Sequence, residues 1–243
     1  MAGADAIYDD PRLVALYDLQ NGPGPDTQFY LALPDRTGLD ILDLGCGTGM
    51  LAVDFAEAGH RVTGIDPARA MLAKARSRPG AGSVTWIEGT AGAARGPFDL
   101  AIMTGHAFQV LLTEEAALET LVCLRRSLRI GGRLAFESRN PAARAWLGWT
   151  PERTRRYLDS DVGRVAVEEA LLWREGSLVA FESRHHFEDG SQLTSRSTLR
   201  FTPRETLAAW LETAGFGTVD WFGDWDRSPF RPDSREIIVV AQA

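Results

Sequence analysis

Lysine is almost missing from this chain of 243 residues. Of 26 Lys and Arg side chains only Lys74 is a lysine, so the other 25 are arginines. Lys74 falls mid-way along a predicted surface helix, so Schiff-base and Tyr-x-x-x-Lys chemistries have no suitable lysine. Cysteine is scarce too. Cys46 and Cys123 form neither a Cys-x-x-Cys pair nor a zinc spacing. The expectation is a reduced, cytoplasmic protein. Basic runs are missing, and the formal net charge is −7. The densest cluster, "RTRRY" at 153–157, is followed at once by Asp159 and Asp161 and reads as a solvated helix face. A nucleic-acid partner is therefore not expected. No apolar run approaches the length of a membrane span, and "MAGADAIYDD" lacks the basic-then-apolar order of a secretory leader. No membrane association is expected.

What is present suits a globular enzyme. Hydrophobic residues make up 44% of the chain, enough for a substantial core. Helices are predicted at 9–19, with Pro11 in the first turn, and at 26–33, with Asp26 as cap. Strands then alternate with helices: "LDILDL", helix 48–58, "RVTGID", helix 67–77, "VTWIEG", "FDLAIMT", helix 113–129, "GGRLAFES". Such alternation implies a parallel sheet. The period changes at 162–201, where three strands are predicted at 162–173, 178–188 and 191–201. Asp189-Gly190 supplies a hairpin turn between the last two. "TPRE" at 202–205 restarts a helix at 203–214 by a capping box. "GTVDWF" and "EIIVVAQ" close the sheet. The expected fold is α/β: a doubly wound, mostly parallel seven-stranded sheet with a three-stranded antiparallel insert. Three parts are expected: an N-terminal helical cap (1–34), a cofactor-binding α/β domain (35–140 and 203–243) and a substrate-side insert (141–202).

The stretch "ILDLGCGTGM" (41–50) carries the function. A buried strand runs into a glycine turn, the usual cradle for phosphate. It lacks the lysine of a P-loop, and the third glycine position of the dinucleotide fingerprint holds Met50. Asp43, at the strand end, repels an approaching pyrophosphate. It suits instead a ligand with a cation beside its nucleoside. Gly45 and Gly47 let the backbone come close. Asp66 ends the second strand, where an acidic side chain accepts hydrogen bonds from ribose hydroxyls in doubly wound folds. Ribose, no phosphate and an amino-acid-like cation together describe S-adenosylmethionine.

"LDLGCGTG" followed by "GIDPARAML" resembles the class I S-adenosylmethionine-dependent methyltransferases. The resemblance covers residues 35–140 and the tail from 203. It implies that Asp43 orients the ligand's amino group, and that Gly45, Cys46, Gly47 and Gly49 form the loop against its methionine part. It implies that Asp66 holds the ribose, and that Pro67 and Met71 pack on adenine. "EGTA" (Gly89, Thr90, Ala91) matches the adenine loop, with Thr90 where family members often carry aspartate. Thr104 opens "TGHAFQVL", the loop that borders the transferred methyl. Tyr8 matches an aromatic that closes over the cofactor. The cap is of a kind that sometimes mediates a homodimer.

Methyl transfer is an in-line displacement on an already activated sulfonium, so positioning and desolvation supply most of the rate. A hydroxyl acceptor gains from a general base. His106 is the candidate; its other reading is a loop histidine that shapes the pocket. His185 and His186 are strand neighbours facing opposite ways, without an acidic pattern to complete a metal site. No metal is expected. Phe108, Trp146, Trp149 and Trp173 are candidate acceptor contacts, or glue between insert and sheet. Arg139, with Asn140 and Arg144, is placed to neutralise an acidic acceptor, or is solvated. The resulting expectation is methyl transfer to nitrogen or oxygen of a small molecule. Protein or RNA methylation, and cofactor binding without catalysis, remain alternatives. An NAD-dependent dehydrogenase fails on Met50, Asp43 and the missing lysine.

Overall fold

A computed structural model describes residues 5–243. The first four residues, part of the stretch expected to lack a leader and of the predicted cap, lie outside the described residues. The chain opens with three helices, α1 (Ala6–Asp9), α2 (Pro11–Gln20) and α3 (Pro25–Leu31). The predicted helix at 9–19 is shorter because Asp10 is extended and caps α2, its side chain accepting from the Arg12 N–H.

The alternating unit follows: β1 (Asp40–Leu44), α4 (Met50–Glu57), β2 (Arg61–Asp66), α5 (Arg69–Ser77), β3 (Val84–Glu88), β4 (Phe98–Met103), α6 (Glu114–Ser127) and β5 (Leu128–Arg139). After a short helix, α7 (Pro151–Thr154), come four antiparallel strands: β6 (Arg156–Ser160), β7 (Gly163–Glu175), β8 (Leu178–His186) and β9 (Gln192–Arg200). Then α8 (Arg204–Thr213), β10 (Val219–Phe222) and β11 (Glu236–Gln242) complete the main sheet. Its seven strands run β10-β11-β5-β4-β1-β2-β3. Neighbours from β5 to β3 pair in parallel, while β11 pairs antiparallel with both β5 and β10. The fold is the expected doubly wound one. The insert has four strands where three were expected. The missed strand, β6, begins inside "RTRRY", where five polar or aromatic residues hide the alternation that seats Leu158 in the insert core.

Period-2 alternation splits the main core into two layers. Leu42, Met103, Leu134, Phe136 and Val239 face α6 and α8 on one side. Ile41, Leu100, Ala135 and Ile238 face α3 and α4 on the other. The chain leaves β1 toward β2 and β3, then returns across it to β4. That reversal opens a crevice at the carboxyl ends of β1 and β4, the general ligand position in such sheets. Among the described residues, no helix is long and apolar enough to cross a membrane.

Candidate active site

Side chains at the carboxyl edge follow from the same alternation. Asp43 shares a face with Ile41, and Glu137 and Arg139 share one with Ala135. Register places Glu236 of β11 opposite Arg139. Four ionisable groups thus arrive on the α3 and α4 face of one sheet edge.

The turn after β1 is built from left-handed glycines at 45, 47 and 49, with φ of 77°, 54° and 78°. The Gly45 and Cys46 N–H groups both donate to Ile65 O, at 2.7 and 3.2 Å. Asp66 then tightens the turn. Its Oδ2 accepts from Gly47 N–H and its Oδ1 from Ala68 N–H, each at 2.8 Å. Each oxygen keeps lone-pair capacity for a further donor. Gly49 has a second reason to lack a side chain. A Cβ there would stand 2.4 Å from the Trp86 ring and 2.9 Å from Ala75 Cβ. This glycine therefore serves packing between the turn, β3 and α5. Cys46 is buried with its sulfur against Gly64, and burial pushes its thiol pKa up.

Asp43 is 1% exposed and its Oδ1 has no hydrogen-bond partner among the described residues. Burial, with the nearby Asp66 carboxylate, pushes its pKa up to about 7. Asp66 is raised as well, chiefly by burial, against the two N–H groups that lower it. This pair of carboxyls in a buried turn is suited to a ligand that brings a cation and hydroxyl donors.

The N-terminal helices cover the turn. Val14 of α2 packs on Ala68 and Met71, with Tyr8 and Tyr17 beside them. Asp18 accepts from both the Thr48 hydroxyl and the Arg78 guanidinium, tying α2 to the glycine turn. The Tyr8 and Tyr17 rings lie 6.2 Å apart. Burial leads the rise of both phenols' pKa values, with Asp66 a smaller contributor to each; Tyr8 reaches about 12.

The loop after β4 carries Thr104, Gly105 and His106. His106 holds φ of 60°, a left-handed backbone unusual outside glycine. Its N–H donates to Glu137 Oε1, and Glu137 Oε2 accepts from the Tyr30 hydroxyl. Its ring Nε2 lies 3.0 Å from Glu236 Oε2. A carboxylate only accepts, so Nε2 carries a proton, and in the neutral ring the lone pair is on Nδ1. Glu137 is buried, which raises its pKa, and His106 and Tyr30 oppose that rise.

A cavity of about 160 Å³ lies beside this loop. Tyr8, Tyr17, Gln20, Gly105, His106, Arg139, Trp149, Phe181 and three serines of the insert sheet are among its lining residues. Tyr8, His106, Arg139 and Trp149 are thus brought together. Phe108, Trp146 and Trp173 do not line it. Phe108 is buried in the main core, stacked on Phe136 with centroids 4.4 Å apart. Trp146 is buried edge-on to Phe201 within the insert. Trp173 lies toward the outer end of β7, 46% exposed. Pro67 and Thr90 are exposed, Gly89 N–H donates to Asp66 O, and Ala91 is core. His185 and His186 point apart, His185 toward Gln20 and His186 toward Glu168. Sequence reasoning did not single out Glu137, Glu236, Tyr30, Tyr17 or Gln20. A glutamate inside the apolar run "RLAFES" was the available signal.

Residues 41–132 match the family model described as a methyltransferase domain. That match, with the relatives and solved structures below, supports a class I S-adenosylmethionine-dependent methyltransferase. The chain is a methyltransferase enzyme, with S-adenosylmethionine as cofactor. The orphaned Asp43 oxygen and the donor-hungry Asp66 fit that cofactor. Among curated relatives, the ubiquinone/menaquinone biosynthesis C-methyltransferase UbiE of Paracoccus denitrificans is 28% identical over 226 residues, 86% of this chain and 82% of that protein. Cypemycin N-terminal methyltransferase of a Streptomyces species is 30% identical over 146 residues, 56% of this chain and 58% of that protein. The methyltransferase shares its fold with CcbJ of Streptomyces caelestis, at TM-score 0.76 and 22% identity, covering 95% of this chain and 96% of that one. CalS10, an amino pentose methyltransferase of Micromonospora echinaspora, aligns at TM-score 0.70 and 22% identity, over 94% and 97% of the two chains.

Proposed function

We propose that the enzyme methylates a nitrogen or oxygen atom of a small molecule held in the cavity beside His106. The observation that carries this is the position of that cavity. The N-terminal helices, the loop after β4 and the insert sheet wall it on separate sides, and its volume of about 160 Å³ suits a compact group and not a polymer segment. Relatives point the same way, since CalS10 acts on an amino pentose by its description.

S-adenosylmethionine, when bound, supplies a methyl group already activated on sulfur. The chain's own residues bind, align and desolvate. Asp43 orients the amino group, Asp66 accepts from the ribose hydroxyls, and Gly45 and Gly47 let the turn lie against the methionine part. Tyr8 closes over the site from α1. His106 Nδ1, freed by the Nε2 bond to Glu236, takes the proton of a hydroxyl acceptor. An amine acceptor needs only to arrive neutral. Glu137 fixes the His106 backbone, so the ring is aimed by two carboxyls from neighbouring strands.

A cavity-filling substitution tests the reading. Ser197 lines the cavity on β9. Ser197→Phe is expected to abolish turnover on the small-molecule filtrate of a cell extract while leaving S-adenosylmethionine affinity within about twofold, the scale expected where a substituted residue shares no partners with the glycine turn. Undiminished turnover would place the acceptor elsewhere.

A further inference from the structure

Among the described residues, twelve of the chain's 25 arginines meet a carboxylate. Arg129 pairs with Asp40 and Asp99, Arg155 with Glu168, and Arg184 with Glu182. Arg156, on the cavity wall, has Glu169 at 3.6 Å. Arg139 differs. Among the described residues it makes no salt bridge, and its guanidinium makes one hydrogen bond, Nη1 to Gln109 Oε1 at 3.0 Å. Gln109 is fully buried, and its Nε2 donates to Arg200 O at 3.0 Å, so its carboxamide is locked and aims the guanidinium. The Arg139 head sits 5.8 Å over the Trp149 ring, against the cavity. Four of its five N–H donors are left for a ligand, in a fork that matches an oxyanion.

A second unused donor belongs to a residue that lines the same cavity. Gln20 Nε2 is buried without a partner. Its Oε1 takes donors from Arg156 at 3.4 Å and His185 Nε2 at 3.3 Å, which fixes the amide with nitrogen as the free end. The carboxylate on the wall, Glu169, is engaged by Arg156. Glu236, Glu137 and Glu169 lie near enough to favour the Arg139 charge, yet among the described residues none of them bonds it, so the spare hydrogen-bonding capacity of its guanidinium is donor capacity. Burial lowers the Arg139 pKa, and the nearby Glu236, Glu137 and Glu169 oppose that shift. Opposite stands an apolar wall, Trp149 against Phe181 with centroids 4.7 Å apart.

We infer that the methyl acceptor carries an oxyanion, a carboxylate or a phosphate, that seats on Arg139 with its flat body against Trp149 and Phe181. The inference rests on the cavity being the acceptor site. It makes Arg139 a specificity-determining residue: an acceptor lacking the anion forgoes a charge-assisted pair with those donors.

Calorimetric titration of benzoate, phenyl phosphate and benzyl alcohol tests it, into wild type, Arg139→Gln and Arg139→Lys, each saturated with S-adenosylhomocysteine. At least one anion should bind wild type about 10-fold or more tighter than benzyl alcohol, the scale of a charge-assisted pair. Preference for benzoate identifies a carboxylate, and preference for phenyl phosphate a phosphate. Arg139→Gln should erase the advantage and Arg139→Lys retain part of it, with S-adenosylhomocysteine affinity unchanged as the control for folding. Equal binding of the alcohol, an anion preference that survives Arg139→Gln, or no anion binding while S-adenosylhomocysteine binds, would each overturn it. Failure of wild type to bind S-adenosylhomocysteine would instead bring down the underlying reading of the site.

Discussion

Asp43 places a carboxyl at the end of a buried strand with one oxygen unpartnered. Its folded pKa, about 7, stands above its ordinary value of 3.8. The folded state therefore binds the proton more tightly than the unfolded chain. By linkage, ligand-free stability falls as pH rises from about 4 through about 7. Asp66, also raised, acts in the same direction. A ligand ammonium beside Asp43 offsets that loss once the carboxyl ionises. Thermal shifts induced by S-adenosylmethionine should thus be larger at pH 8 than at pH 6, and Asp43→Asn should flatten the difference. Asp66→Ala should weaken cofactor binding by about 1–3 kcal/mol, the cost of losing a charged acceptor; unchanged affinity by calorimetry would remove the ribose role. For a hydroxyl acceptor, His106→Ala should lower kcat about 100-fold or more, and Glu236→Gln should lower it less, with cofactor affinity intact in both. Full turnover in His106→Ala would leave His106 as a residue that shapes the loop.

Elements explain which parts of the site were legible beforehand. The β1–turn–α4 and β2–α5 units are local in sequence, and their chemistry is spelled by Asp43, the glycines and Asp66 within 24 residues of chain. Composition also exposed the insert, because its hairpin turn and loss of helical period are local signals. The acceptor side is made by distant partners. His106 meets Glu236 across 130 positions and the cavity joins α2 to β9, so no window of sequence contains it. The aromatic candidates divided for the same reason: Trp149 reached the cavity, while Phe108 and Trp146 were taken by cores that sequence spacing cannot assign. Gly49 shows that one motif can serve two layers. It ends the turn in a left-handed conformation and leaves room for Trp86. Gly49→Ala should destabilise the protein by about 2–3 kcal/mol, the sum of backbone strain and overpacking, measured by denaturant melts. A loss near zero would mean that Trp86 moves aside freely.

Across the whole molecule, the proposed cofactor and acceptor sites meet at one edge of the main sheet. The parallel sheet supplies a rigid rim from β1, β2, β4 and β5. The helical segment and the insert close over it from opposite directions, and Asp18 and Gln109 tie each cover to the sheet side through hydrogen bonds. A displacement reaction that depends on desolvation gains from such covering elements. The most direct test incubates the enzyme with methyl-labelled S-adenosylmethionine and a cell extract, then separates small molecules, protein and RNA. The label is expected in the small-molecule fraction. Label confined to protein or RNA would contradict the small-molecule account of the acceptor.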